Sequence, residues 1–265
     1  SNSKIIGLTI VNTKEKISNF YLSGIHIIDS WNNTIANNSI SVDGKYSFAL
    51  ALENSSYNNI SNNVLISNSS YVLPFTGSSH NLIEENRLKS DASNLIYCCP
   101  FSIGNLNSRS QIKSEANMII NNNLTSENGL NNYAINLESE MESLNNIIAN
   151  NDISNVHYGI KLSSDNAIIE NNTLSGVREA ITLDGENILV AANIIDVVAD
   201  SNSGNKTTAS FGISFNGNNI TVRDNIISSK YANAIQFGGN GNIILNNFIN
   251  TDSANAIYYS NSLKT

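Results

Sequence analysis

The chain has 265 residues and a formal charge of −8, with 14% charged side chains against 40% hydrophobic ones. No basic cluster occurs to neutralise a run of phosphates, which excludes nucleic acid as a partner, and no apolar stretch approaches the roughly 18 residues that would insert this segment into a membrane. The wet surface must therefore be built from neutral polar groups, and Asn, at roughly a fifth of the sequence, is the main supplier.

From the N-terminus onward one short pattern recurs: an aliphatic residue, a small or polar residue two positions later, and an aliphatic three beyond that. It begins with Ile5, Gly7, Ile10 and continues as Ile35, Asn37, Ile40; Ile60, Asn62, Leu65; Ile83, Glu85, Leu88; and Ile119, Asn121, Leu124. The second half repeats it as Ile148, Asn150, Ile153; Ile169, Asn171, Leu174; Val190, Ala192, Ile195; Val222, Asp224, Ile227; and Ile244, Asn246, Ile249. Aliphatics five apart cannot share a face of one straight strand, so the chain must turn between them. Asn suits such a corner because it tolerates the left-handed backbone region and its amide both donates and accepts. The expectation is a ladder of corner amides up the inside of the stack, with Asn37 and Asn171 buried in it.

A second pattern alternates with the first. Gly24-Ile25-His26-Ile27, Tyr133-Ala134-Ile135-Asn136-Leu137, Tyr158-Gly159-Ile160-Lys161-Leu162, Ala180-Ile181-Thr182-Leu183, Phe211-Gly212-Ile213-Ser214-Phe215, Ala234-Ile235-Gln236-Phe237 and Ala256-Ile257-Tyr258-Tyr259 read as strands with one apolar and one wet face. His26, Asn136, Lys161, Thr182, Ser214, Gln236 and Tyr258 form the outward column, while strand parity sends Tyr46, Tyr133, Tyr158 and Phe211 inward as an aromatic stack. The shortest repeats are a little over twenty residues, too short for a strand–helix–strand unit of about 30. The fold class is therefore all-β: a right-handed parallel β-helix of about ten coils, on the order of 45 Å long, running as a single domain over 1–265. Neither end carries a capping helix, and the segment reads as a piece of a longer surface protein. Longer coils place insertions at 11–22, 97–116, 125–132 and 196–210.

Asn-Asn-Asp-Ile at 150–153, Tyr-Gly-Ile-Lys-Leu at 158–162 and Asn-Asn-Thr-Leu at 171–174 resemble the repeats of the pectin-lyase-like parallel β-helix proteins, and the likeness extends over nearly the whole chain. The Asn and Ser richness and the acidic charge resemble the adhesin-like surface proteins of methanogenic archaea. This resemblance implies an extracellular, cell-surface location and a polysaccharide, a cell-surface glycan or a partner cell as the ligand. The same fold supports lyases, hydrolases and adhesins, so the chemistry must be read from the residues.

One carboxylate pair is notable. Asp165 and Glu186 each stand four positions before the first aliphatic of a repeat, which puts them one coil apart, about 5 Å, the spacing of a retaining glycosidase. Any periodic fold brings equivalent positions that close, and the column continues as Asn218 and Asn240, so these are weak catalytic candidates. Arg178 and Arg223 stand apart from any carboxylate cluster that could form the calcium site of a lyase. The three histidines, His26, His80 and His157, lie outside any metal-ligand spacing, and His26 faces outward alone. No cofactor and no metal, calcium included, is expected. Adjacent Cys98 and Cys99 point to opposite faces and suit a core thiol and a surface thiol rather than a disulfide. Binding is expected in the insertions, through Tyr21, Phe101, Arg109 and Lys113. Among the Asn-x-Ser/Thr triplets, Asn205 is the best-placed glycosylation site. The residues thus point to a non-catalytic adhesin-like rod, beside a carbohydrate-active enzyme (hydrolase or lyase) and a ligand-free spacer as the competing readings.

Overall fold

The computed structural model describes residues 1–12, 22–44, 47–90, 93–98, 113–126, 132–138, 143–198, 210–252 and 254–260. Within them the chain is a right-handed parallel β-helix. Three parallel sheets run its length, with ten, ten and eleven strands among the described residues. The first runs from Lys4–Ile6 to Ile243–Leu245, the second from Thr9–Asn12 to Phe248–Asp252 and the third from Leu22–Ile28 to Ile257–Tyr259.

The aliphatic repeat sets the register. Ile5 pairs with Ile35, Ile35 with Ile60, Ile60 with Ile83, Ile83 with Ile119 and Ile119 with Ile148. The column continues through Ile169, Val190 and Val222 to Ile244. Ile35 to Val222 are fully buried in the interior, where each aliphatic side chain contributes about 1.5–3 kcal/mol relative to exposure.

The residue two places beyond each of these aliphatics takes the left-handed conformation, from Gly7 (φ 72°) and Asn37 (φ 55°) to Asn171 (φ 55°) and Asn246 (φ 53°). The corner is as expected, but its ladder is not. In the left-handed residue the side chain turns outward, so Asn37 and Asn171 are exposed, and the next residue points in. Asn38, Asn63, Asn86, Asn122, Asn151, Asn172, Asn193, Asn225 and Asn247 form an unbroken amide ladder, each Nδ2 donating to the next Oδ1 at 2.9–3.1 Å. The same Oδ1 atoms accept main-chain N–H groups, as Asn172 does from Asn151 N at 3.0 Å. Every amide of this ladder is thereby paired, which is the condition for tolerating so much buried polarity.

A second corner precedes the first sheet. Its left-handed residues include Asn32, Tyr57, His80, Ala116, Asn145, Asn166, Asn187 and Asn219. The inward residues that follow begin as a ladder, Asn33, Asn58, Asn81, Asn117 and Asn146. They then change to Ala167, Ile188 and Ile220, all buried in the core.

The third sheet departs from simple alternation. In Tyr158–Asp165 the consecutive residues Gly159 and Ile160 are both buried, so the strand turns at the glycine. A Cβ on Gly159 would stand 2.3 Å from the carbonyl oxygen of Ala180, so the backbones meet there. Parity is broken at that point, and Tyr133 and Tyr158 are half-buried at the sheet margin instead of lying in the core; Phe211 is buried. Tyr46 lies outside the described residues. The outward column is also drier than alternation predicts: Asn136, Ser214 and Gln236 are buried. Ser214 lies under the longer Gln236, whose Nε2 donates to its Oγ at 3.0 Å.

Candidate functional site

Tyr21, Phe101, Arg109 and Asn205 lie outside the described residues, as do Cys99 and most of each insertion. Lys113 is exposed, and its carbonyl accepts from the Ser79 hydroxyl at 3.5 Å, which places it at the second corner near His80. Cys98 is buried.

Asp165 and Glu186 do stack on successive coils, and their hydrogen bonds define what they do there. Asp165 Oδ1 accepts the main-chain N–H of Glu186 at 2.7 Å, and Glu186 Oε1 accepts from Asn218 Nδ2 at 2.8 Å. Asn218 Oδ1 in turn accepts the N–H of Asn240 at 2.9 Å. At the same position of other coils, Ser56 Oγ accepts from Ser79 N and Ser79 Oγ from Glu115 N, both at 3.0 Å. Ser, Asp and Asn thus serve interchangeably as acceptors for the next coil's amide. A task that a hydroxyl or an amide performs equally well asks for no ionisable group.

His26 is not alone: its Nε2 lies 3.3 Å from Oε2 of the buried Glu53, one coil on. His157 lies against Tyr158, with centroids 4.3 Å apart, and Arg223 pairs with Asp224.

Two clusters are more informative, and of their members only Tyr133 and Tyr158 were marked out by the sequence pattern. In the first, Tyr133, Tyr158 and Glu179 occupy one register column of the third sheet. The tyrosine rings stack at 4.4 Å. Burial pushes Glu179 up to about 7, against the opposing pull of Arg178 and Lys161, and burial with the neighbouring Tyr158, Glu179 and Glu138 pushes Tyr133 up to about 12. Lys161 itself is engaged by Glu138 at 3.0 Å. Glu179 is a carboxyl that stays largely neutral in mild acid, able to donate a hydrogen bond as well as accept one.

The second cluster forms a groove. Asp29, Trp31, Asn32, Asn54, Ser56 and Tyr57 line an open depression of about 670 Å³ at the second corner, within the roughly 300–1,000 Å³ of small-ligand sites. The coil geometry explains the convergence. Asp29 and Asn54 are left-handed residues on adjacent coils (both φ 46°), and Asn54 Nδ2 donates to Asp29 Oδ1 at 2.6 Å. Trp31 and Tyr57 are 55% and 56% exposed. Tyr57 stacks on His80 at 4.6 Å, which leaves its other face toward the coil that carries Asn32 and Trp31.

The backbone adds a feature that Tyr57 shares with Tyr231 (φ 64°). Tyr57 (φ 58°) is left-handed in a column where Asn32, Asn145, Asn166, Asn187 and Asn219 do the same at little cost. A bulky residue there costs about 1 kcal/mol or more, and strain of that kind concentrates at sites where the side chain is needed. The readable signal was an exception to the repeat: Tyr57 and His80, three positions before the first aliphatic, stand in an Asn column beside the single Trp of the chain. Exposed aromatic faces flanked by amides and a carboxylate can cover the apolar side of a sugar ring while hydrogen-bonding its hydroxyls.

Comparison with known proteins agrees with this architecture. A family described as a right-handed beta helix region matches residues 2–112. The sequence matches no curated protein. Among solved structures, the chain is similar to the tailspike protein of E. coli bacteriophage HK620 in complex with a pentasaccharide, at 12% identity and a TM-score of 0.56, covering 86% of this chain and 46% of the tailspike. It is also similar to the surface protein and adhesin PfbA of Streptococcus pneumoniae (15% identity, TM-score 0.49, 96% of this chain and 91% of that one). A third is the hyperthermoactive exopolygalacturonase of Thermotoga maritima (15%, TM-score 0.48, 88% and 53%). This chain therefore spans less than half the length of the tailspike, and at 12% identity what the two share is the fold.

Proposed function

We propose that this chain is a non-catalytic, adhesin-like β-helix of an extracellular surface protein, and that it binds glycan through the Trp31–Tyr57 groove. The observation that carries the reading is the pair of exposed aromatic rings beside Asp29, Asn32 and Asn54, with one ring held in a strained backbone conformation. The saccharide bound to the similarly folded tailspike supports a carbohydrate ligand. The engagement of Asp165 and Glu186 in coil-to-coil hydrogen bonds supports a binding role over a catalytic one. A rigid stack with its groove on a corner suits display, because the ladders hold the backbone while corner side chains vary.

The test is a glycan-array screen of the chain run beside a reducing-end release assay on acidic and neutral polysaccharides. Binding without turnover is expected, weakened about tenfold or more by Trp31→Ala combined with Tyr57→Ala. Turnover that disappears on Asp165→Asn would overturn the proposal.

A further inference from the structure

We infer that the Trp31–Tyr57 groove selects saccharides bearing a free amino group over neutral and uronic-acid sugars. The inference rests on the glycan-binding reading above and specifies its ligand class. Asp29 is the charge that decides it. Its Oδ1 is taken by Asn54, and no other hydrogen bond or ion pair to this carboxylate occurs among the described residues. The described lining holds this one carboxylate and no Lys or Arg, within a chain of net charge −8. A protonated sugar amine can therefore meet the outer oxygen of Asp29 without displacing a side-chain cation of the described lining. The neighbouring rings reinforce that choice, since the faces of Trp and Tyr carry negative potential and attract a cation. A uronate would meet the same carboxylate with like charge and no Lys or Arg of the described lining to offset it. Asn32 can accept from or donate to ring hydroxyls and the Oδ1 of Asn54 can accept from them, which any hexose offers, so they favour sugars in general and Asp29 discriminates among them.

The experiment is calorimetric titration of the chain with three oligomers of equal length, glucosamine, N-acetylglucosamine and galacturonate, in mild acid where the amine is protonated. The glucosamine oligomer should bind most tightly and galacturonate least, with the amine preference shrinking as salt is raised. Asp29→Asn should lower affinity for the amino oligomer about fivefold more than for the N-acetylated one, as expected for loss of one partly exposed charge contact. The variant should fold, because Asn54 already occupies the equivalent position with the same φ. Equal binding of the amino and N-acetylated oligomers, or a preference that survives Asp29→Asn, overturns the inference and leaves the groove as a general sugar site. Absence of binding to all three oligomers and to the glycan array overturns both readings.

Discussion

The two corners of this β-helix solve the same problem differently. At one, inward Asn side chains run unbroken from Asn38 to the half-buried Asn247. At the other, the ladder ends at Asn146, whose Nδ2 donates to Ser164 Oγ at 3.2 Å, and Ala167, Ile188 and Ile220 take over. The difference shows that a buried amide column is tolerated only while each member has partners above and below. Where the column is abandoned, the consecutive apolar residues Ala167, Ile188 and Ile220 replace it, and where Asn returns, at the half-buried Asn242, its amide is paired by the main chain of Ile220, Gly217 and Gly238.

The largest effect should come from breaking the continuous ladder. Asn172→Ala removes the acceptor used by both Asn151 N and Asn151 Nδ2, and the donor used by Asn193 Oδ1 and the carbonyl of Ile148. Urea unfolding should register a loss of about 3 kcal/mol or more. The converse change, Ile188→Asn, places one amide between Ala167 and Ile220 and should cost about 2 kcal/mol. If Asn172→Ala proved nearly neutral, the ladder would be a by-product of composition instead of a structural device.

A pH effect should come next, from the third sheet. Glu179 is raised from its ordinary 4.5 to about 7, so the folded state holds the proton more tightly than the unfolded chain. Its contribution to stability is fully present below about 4.5 and is lost as pH rises through about 7. Thermal melts of Glu179→Gln and the parent chain should therefore converge at low pH and diverge above neutrality, with the variant the more stable there. Parallel curves across that range would show that Glu179 is not the group responsible.

The smallest expected effect is Asp165→Asn. Asn218 already performs the same acceptor role two coils away, so the substitution should change unfolding free energy by less than about 0.5 kcal/mol. A loss of several times that size would mean that the negative charge itself is needed at Asp165.

Much of the fold was legible because its unit is short and repeats. The aliphatic pair five apart with a left-handed residue between them is a local constraint, and Ile35, Ile60, Ile83 and their successors pair in the register it implies. Side-chain direction at the corner was not legible in the same way. Whether Asn37 or Asn38 points inward depends on how a left-handed residue rotates its Cβ between two strands, and strand parity is undefined there. The same failure of parity at Gly159 moved Tyr133 and Tyr158 from the expected core to the half-buried margin.

The groove was hidden for another reason. Asp29 and Trp31 are separated from Asn54, Ser56 and Tyr57 by one coil of sequence, and within either coil these residues look like ordinary turn polarity with an aromatic nearby. The raised Glu179 is likewise a product of burial, which no neighbour in sequence announces. What the sequence by itself determined is the coil: its period, its corners and the aliphatic interior, because those follow from local backbone preference and the alternation of a strand. What only the tertiary structure decided is which polar atoms meet across coils, at Asn172, at Asp165 and at the Trp31–Tyr57 groove, because stacking makes neighbours of residues that the chain itself keeps a full turn apart.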